Sequence, residues 1–398
     1  MSNHKQEILF VVNNLNCGGA EKALISLLQT FDYSRYNVDL LLFKQEGLFL
    51  NQIPEQVTLL SEPDRYKYFD MPIKKAIVEN LKKFNFNTII NRIGAAFVFK
   101  NETINAVVEQ KMWKYLRNSM SKLPKKYDVA IGFLEKTPNY FVVDKVDAKI
   151  KIGFIMNDYN KLQMDKTIDA RYFSKLDFIA QDSQESNTIL VQNFPEFKDK
   201  FKIIKSIIAS KTIRKLADEV VHDIPTGFNI VSVGRLSYQK GYDLALDALK
   251  IIHSKGILFH WIILGVGEEE NNLKAKVIEY GLHDKIKFVG IKENHYPYLK
   301  KADIFLHTAR FEGFGIVIQE AKILTKPIVL TDFNVAKSHI EHGKNGLIAS
   351  MNPESIAENL EMLISDLNLR NQFSAELNKY DFGTENEIEN FYNLLIKS

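Results

Sequence analysis

Two glutamates stand eight residues apart in the run Phe311-Glu312-Gly313-Phe314-Gly315-Ile316-Val317-Ile318-Gln319-Glu320-Ala321. Residues 302–307 ahead of it read as a strand, the glycines as a tight turn, and residues 316–324 as the first turns of a buried helix. Glu312 then lies in a strand-to-helix loop and Glu320 about a turn inside the helix. The backbone N–H groups of Phe314, Gly315 and Ile316 face the same crevice. A helix start beside glycines attracts phosphate, because unpaired amides and the helix dipole both favour an anion. Carboxylates accept strong hydrogen bonds from sugar hydroxyls. Phosphate donors and hydroxyl acceptors in one crevice describe a nucleotide-sugar site.

The elements that must position these groups read as two α/β halves. In the first, strands are expected at 8–12, 38–43, 128–133, 151–155 and 178–180, with a helix over 20–30 after a glycine loop. In the second, strands begin near Asn229, Trp261, Lys287, Asp303 and Ile328. Helices follow from about Tyr242, Glu269, Tyr296, Ile316 and Pro353. Alternation of this kind builds parallel sheets with helices on their faces. The pattern is weakest over 201–226, where one half gives way to the other. Domains are therefore drawn at 1–205 and 206–384.

Three segments carry a resemblance to a known family. The run from Glu312 to Glu320 resembles the E-x7-E motif of retaining glycosyltransferases with the GT-B fold, family 4. Val231-Ser232-Val233-Gly234-Arg235-Leu236-Ser237-Tyr238-Gln239-Lys240-Gly241 is similar to that family's G-R-L-x-x-x-K-G segment. Asn14-Leu15-Asn16-Cys17-Gly18-Gly19-Ala20-Glu21-Lys22 is similar to its N-terminal G-G-A-E loop. The resemblance implies an α/β GT-B fold, with two doubly wound Rossmann-like domains facing a central cleft. It also implies that the last helix, within 385–398, packs back on the N-terminal, acceptor-side domain, leaving 206–384 as the donor domain.

The resemblance assigns residues as well. Arg235 and Lys240 contact the donor diphosphate; Glu320 binds the ribose hydroxyls. Glu312 lies by the sugar and leaving group, with the Phe314 and Gly315 amides beside it. Gly18 and Gly19 let the backbone approach the diphosphate, and Gly265 and Gly267 form a loop near base and ribose. No Asp-x-Asp occurs in the chain, so cations and helix dipoles take the place of a diphosphate-bound metal, and neither metal nor cofactor is expected. Glu135, ending a strand, either meets the acceptor or is an exposed loop glutamate. The family's pattern breaks at Met156, where many relatives carry a histidine that positions the donor sugar. Methionine donates no hydrogen bond; Asp158 is the residue expected to supply the contact.

The expected activity is transfer of a hexose-type sugar from a nucleotide-diphospho-sugar, UDP-linked as first guess, to a glycan or lipid-linked acceptor in bacterial surface polysaccharide or glycolipid synthesis. The alternative is a catalytically weak GT-B subunit that binds and stabilises a partner transferase. A nucleotide-sugar epimerase is a third reading, disfavoured by the motif set.

Composition is compatible with this. The 398 residues allow two domains, and the formal net charge of +3 does not argue for nucleic acid. A single cysteine, Cys17, excludes a disulfide framework and fits a reducing cytoplasm. No apolar run reaches the ~20 residues that span a bilayer. Residues 73–126 hold twelve Lys and Arg against three Glu, interleaved with aromatics. That segment reads either as a solvated basic face or as a peripheral contact with anionic lipid at the inner face of the cell membrane.

Overall fold

The computed structural model describes residues 5–16 and 18–396, and every count and absence below refers to these. Cys17 lies outside them, as do the last two residues of the expected terminal helix. The chain divides into two compact units. One comprises residues up to 16, 20–205 and the terminal stretch from 387; the other comprises 206–386, together with Gly18 and Gly19.

In the first unit β1 (Gln6–Val12), β2 (Tyr36–Leu42), β3 (Val57–Leu60), β4 (Lys126–Gly132), β5 (Asp147–Phe154), β6 (Phe178–Gln181) and β7 (Phe201–Ile203) form one parallel sheet in the order β3-β2-β1-β4-β5-β6-β7. In the second, β8 (Asn229–Val233), β9 (His260–Leu264), β10 (Ile286–Gly290), β11 (Ile304–His307), β12 (Ile328–Thr331) and β13 (Leu347–Ala349) are ordered β10-β9-β8-β11-β12-β13. Both are doubly wound. Their strands are near-continuous apolar runs because helices cover both faces. Ile8, Leu9, Phe10, Val11 and Val12 are wholly buried. The expected strands are present, and β3, β7 and β13, of three or four residues, add to the sheet edges.

Between β3 and β4 the first unit carries three helices, Ile73–Lys82, Phe86–Asn101 and Asn105–Ser119. Not every cation of this segment faces water. Arg92 is buried on the second of these helices, where its guanidinium donates to the carbonyls of Tyr68 and Met71.

The C-terminal helix, Glu387–Leu394, belongs to the first unit. Phe391 is buried with ring centroids 6.0 Å from both Phe10 and Phe31 and 6.4 Å from Phe154. The Tyr392 hydroxyl accepts from the Asp32 amide at 2.7 Å, and its ring stacks on Tyr36. Truncating a buried Phe removes its transfer free energy and leaves a cavity, ~3–5 kcal/mol in all. Phe391→Ala is therefore expected to destabilise the first unit by that amount in urea denaturation followed through the fluorescence of buried Trp113. A loss below ~1 kcal/mol would mean that the helix only rests on the unit.

Candidate active site

β8 and β11 are neighbours in the sheet, although β9, β10 and the helices Tyr242–Ser254, Glu270–Glu279 and Tyr296–Lys301 lie between them in the chain, so the strand order reverses at this point. Open α/β sheets bind ligands at the carboxyl ends of strands beside such a switch. The loop after β8 holds Arg235 and Lys240; the loop after β11 holds Glu312. Direct bonds lock the two together. The Arg310 amide donates to the Gln239 carbonyl at 2.7 Å, and the Gln239 side-chain amide donates to the Phe311 carbonyl at 3.0 Å. The Thr308 hydroxyl donates to the Gly241 carbonyl at 2.9 Å. Arg310 grips Asp243 with both terminal nitrogens, at 2.9 and 2.6 Å. Gly241 has φ +62°, and a Cβ there would lie 2.1 Å from the Thr308 oxygen, so glycine alone fits the junction.

Glu312 sits at the centre of this junction and is 6% exposed. Its Oε1 is paired with the Lys240 ammonium and lies 2.9 Å from His307 Nε2. Burial pushes the Glu312 carboxyl up, but the Lys240 charge and the His307 hydrogen bond outweigh it and bring it down to about 2. Burial holds His307 below its ordinary value despite the carboxylate beside it. At neutral pH His307 is thus the uncharged imidazole, with Nε2–H donating to Glu312. Asn334 fixes the main chain of the same residue: its Nδ2 donates to the Glu312 carbonyl at 2.8 Å, and its Oδ1 accepts from the Glu312 amide at 3.2 Å.

Gly315, at φ +80°, turns the chain into helix Ile316–Ile323. The N–H groups at that helix start have no intrahelical acceptor. The buried His339 donates to the Phe314 carbonyl and so fixes the approach to the helix. Burial first, and the Lys322 charge second, depress His339 to about 3, so it too is neutral. Glu320, 1% exposed, lies one turn on. Its Oε2 is 2.7 Å from His295 Nε2, and its Oε1 accepts from the Tyr296 hydroxyl at 3.4 Å.

Arg235 is exposed, and its side chain has no hydrogen-bond or ion-pair partner among the described residues. Gly265 and Gly267 line up against the Arg235 loop. Gly265 has φ +142°, and a Cβ on it would meet the Gly234 oxygen at 1.9 Å. Gly18 and Gly19 group with the second unit, Gly19 opening the helix Gly19–Thr30. The structure thus brings Lys240, Glu312, Phe314, Gly315, Ile316 and Glu320 onto two adjacent loops and one helix start.

Glu135 and Asp158 belong to the first unit. Glu135 is buried rather than an exposed loop residue: it accepts from the Met156 amide at 3.1 Å and from the Asn157 side chain at 2.9 Å. Its carboxylate thereby holds the loop that carries Met156 and Asn157. Asp158 is also buried and accepts from the Asn160 amide at 3.0 Å. Among the described residues no three His, Cys, Asp or Glu side chains are grouped so as to hold a metal ion, and no helix is long and apolar enough to cross a membrane.

Sequence reading passed over His295, Tyr296, Asn334 and His339. His307 closed an expected strand without being given a role. The signal available was its place at the carboxyl end of that strand, immediately before the glutamate loop. Because the Glu312 carboxyl falls from its ordinary 4.5 to about 2 on folding, the pair stabilises the fold in full above the unfolded-state value. That contribution, ~3 kcal/mol, is lost as pH falls towards 2. The stability advantage of wild type over Glu312→Gln in urea titrations should therefore be constant above pH ~5 and shrink between ~4.5 and ~2. An advantage independent of pH across that range would show that the carboxylate is not held by charge.

Residues 217–379 match the family described as Glycosyl transferases group 1. An uncharacterized glycosyltransferase of Methanocaldococcus jannaschii is 25% identical over 265 residues, spanning 57% of this chain and 65% of that one. The N-acetylgalactosamine-N,N'-diacetylbacillosaminyl-diphospho-undecaprenol 4-alpha-N-acetylgalactosaminyltransferase of Campylobacter jejuni is 24% identical over 376 residues, spanning 92% of this chain and 93% of that enzyme. Among solved structures, Anabaena HepE in complex with UDP and glucose superposes with a TM-score of 0.68 at 17% identity, covering 98% of this chain and 99% of that one. These likenesses fix the architecture: two parallel-sheet, Rossmann-like units of the GT-B fold, whose second unit carries the glycosyl transferases group 1 match.

Proposed function

We propose that this protein is a retaining, metal-independent glycosyltransferase that moves a sugar from a UDP-linked donor to a glycan or lipid-linked acceptor. The observation that carries the reading is the Lys240–Glu312–His307 cluster at the β8/β11 switch point, beside a helix start and the unpaired Arg235. Departure of a nucleoside diphosphate builds negative charge on phosphate oxygens. Arg235, Lys240 and the amides after Phe314 are donors fixed in advance for that charge. Glu312 and His307 hold the Lys240 ammonium in place, and Glu312 is the acceptor nearest the leaving group. Glu320, oriented by His295 and Tyr296, takes the ribose hydroxyls. The Anabaena structure with UDP supports the nucleotide choice. The diphospho-undecaprenol and alpha linkage in the Campylobacter enzyme's name support a lipid-linked acceptor and an α product, as in surface-glycan synthesis.

The exposed apolar residues of the 73–126 segment support work at a membrane surface in the cytoplasm. Phe84, Phe86, Ile90, Phe97 and Phe99 all stand exposed there, amid Lys74, Lys75, Lys82, Lys83 and Lys100. Such a face inserts apolar side chains below anionic headgroups. The accessory-subunit reading draws on the expectation that a histidine would position the donor sugar where this chain has Met156, and on Glu135 being committed to holding that loop. Asp158 is the remaining group that can take the sugar contact.

The deciding experiment is hydrolysis and transfer by the purified protein with a panel of UDP-, GDP- and ADP-sugars, with and without EDTA. Turnover with a UDP-sugar that survives EDTA is expected. Silence with every donor would favour the accessory subunit, and rescue by Mn²⁺ or Mg²⁺ would remove the cation-based site. Lys240→Ala and Arg235→Ala should each lower kcat/KM by ~2–4 kcal/mol of transition-state stabilisation. A variant within threefold of wild type would take that residue out of the reaction.

Glu320→Ala should weaken UDP itself in calorimetry, because donor and product share the ribose. Glu312→Ala should act mainly on turnover. Equal losses of UDP affinity in the two variants would mean that these roles are wrongly divided.

A further inference from the structure

The first unit contains a cavity that the proposed transfer does not use. It has a volume of about 470 Å³ and lies between helix Asn105–Ser119 and helix Lys166–Phe173, with Val98 of helix Phe86–Asn101 at one side. Five of its lining side chains are basic, Lys111, Lys114, Arg117, Arg171 and Lys175, and none is acidic. Lys111 and Lys114 are three apart on one helix and so share a face. Arg171 is in the last turn of the other helix, and Lys175 follows two residues beyond its end.

The nearby carboxylates are already spent. Glu102 pairs with Lys111 at 2.6 Å. Asp144 accepts from Trp113 Nε1 at 2.9 Å, from Arg117 at 3.2 Å and from the Tyr172 hydroxyl at 3.3 Å. Lys114, Arg171 and Lys175 have no carboxylate partner among the described residues, and all three are exposed at the cavity. The cavity floor is fixed. Gln110 is buried and bonded to the Tyr140 hydroxyl, to Asp169 and to both main-chain groups of Asp165. Tyr172 stacks on Tyr140 with centroids 4.0 Å apart.

We propose that this cavity binds a diphosphate group, with Lys114, Arg171 and Lys175 as its counter-charges. Three cations without counterions, one of them a guanidinium fork, match the charge and the several acceptor oxygens of a diphosphate better than a single carboxylate. The diphosphate is either that of a soluble metabolite or the headgroup of a lipid. The exposed Phe97 and Phe99 on either side of Val98 give an attached apolar chain a surface to lie on.

The test is calorimetry of the full-length protein, saturated with UDP, against inorganic pyrophosphate and against farnesyl diphosphate. Arg171→Gln/Lys175→Gln is compared with wild type, with thermal melts to establish folding. Because the readout is the difference between these proteins, it holds whether or not UDP binds and whether or not the second unit transfers sugar. Saturable binding of one pyrophosphate, weakened at least tenfold in the double variant and retained in Arg171→Lys/Lys175→Arg, is the expected result. Tighter binding of farnesyl diphosphate, with the excess lost in Phe97→Ser/Phe99→Ser, assigns the lipid source; equal affinity for the two probes assigns the soluble one. Pyrophosphate binding unchanged in the double variant, or weakened equally by Lys161→Gln/Lys166→Gln outside the cavity lining, would overturn the proposal.

Discussion

The second unit depends on one buried ion pair, that of Lys240 with Glu312. Burying two charges costs several kcal/mol of hydration each, and their attraction offsets this only where geometry and further hydrogen bonds are good. Here His307 supplies the further bond from the protein side, and burial keeps that imidazole neutral, so the cluster contains one cation and one anion rather than two cations. Such a pair adds little stability over an apolar filling of the same space. It does place an ammonium at a fixed point on the carboxyl edge of a parallel sheet. Removing one partner would strand the other charge out of water, so the position is enforced by the cost of losing it.

Around the pair, main-chain hydrogen bonds do most of the positioning. Gln239 and Thr308 each bind a backbone group of the opposite loop, Asn334 binds the Glu312 main chain from the loop after β12, and Gly241 permits the contact to be close. Loops joined in this way present donors without reorganising, which is what stabilising a developing charge requires. Glu320 is held differently, by a histidine and a tyrosine hydroxyl from the start of a neighbouring helix. In both cases a partner distant in sequence helps to set the carboxylate's direction, Lys240 for Glu312 and His295 for Glu320.

That distance explains what the sequence could and could not disclose. The sheets were legible because strands such as Ile8 to Val12 are apolar on both faces, and the glycine loops because their turns need positive φ. The helix after Gly315 was expected over 316–324 and spans Ile316–Ile323. Strands β3, β7 and β13 escaped because they are short edge strands with partly exposed residues, whereas the equally short β11 and β12 are buried throughout. Asn334 lies 22 residues from the main chain it binds and His295 lies 25 from Glu320. Neither pairing leaves a local pattern, since the contact exists only once the sheet order is set. Glu135 was taken as a loop residue open to an acceptor or to solvent. Its burial follows from a turn that folds back onto Met156 and Asn157, which no spacing rule anticipates.

Charge was read least well from composition, and the structure shows why. A net +3 is a sum over residues with opposite fates. Arg92, counted with the basic segment, is buried and tied to two carbonyls, whereas Lys125 is consumed by Glu7 and Asp39. Lys240 is neutralised by Glu312, and Arg235 is left open. What a cation can do is decided by whether a carboxylate has reached it first. Arg117 and Lys111 have such partners; Lys114, Arg171 and Lys175, which line the same cavity, do not. An almost neutral chain can therefore carry concentrated positive sites, and these arise where packing has satisfied the neighbouring acids with other donors.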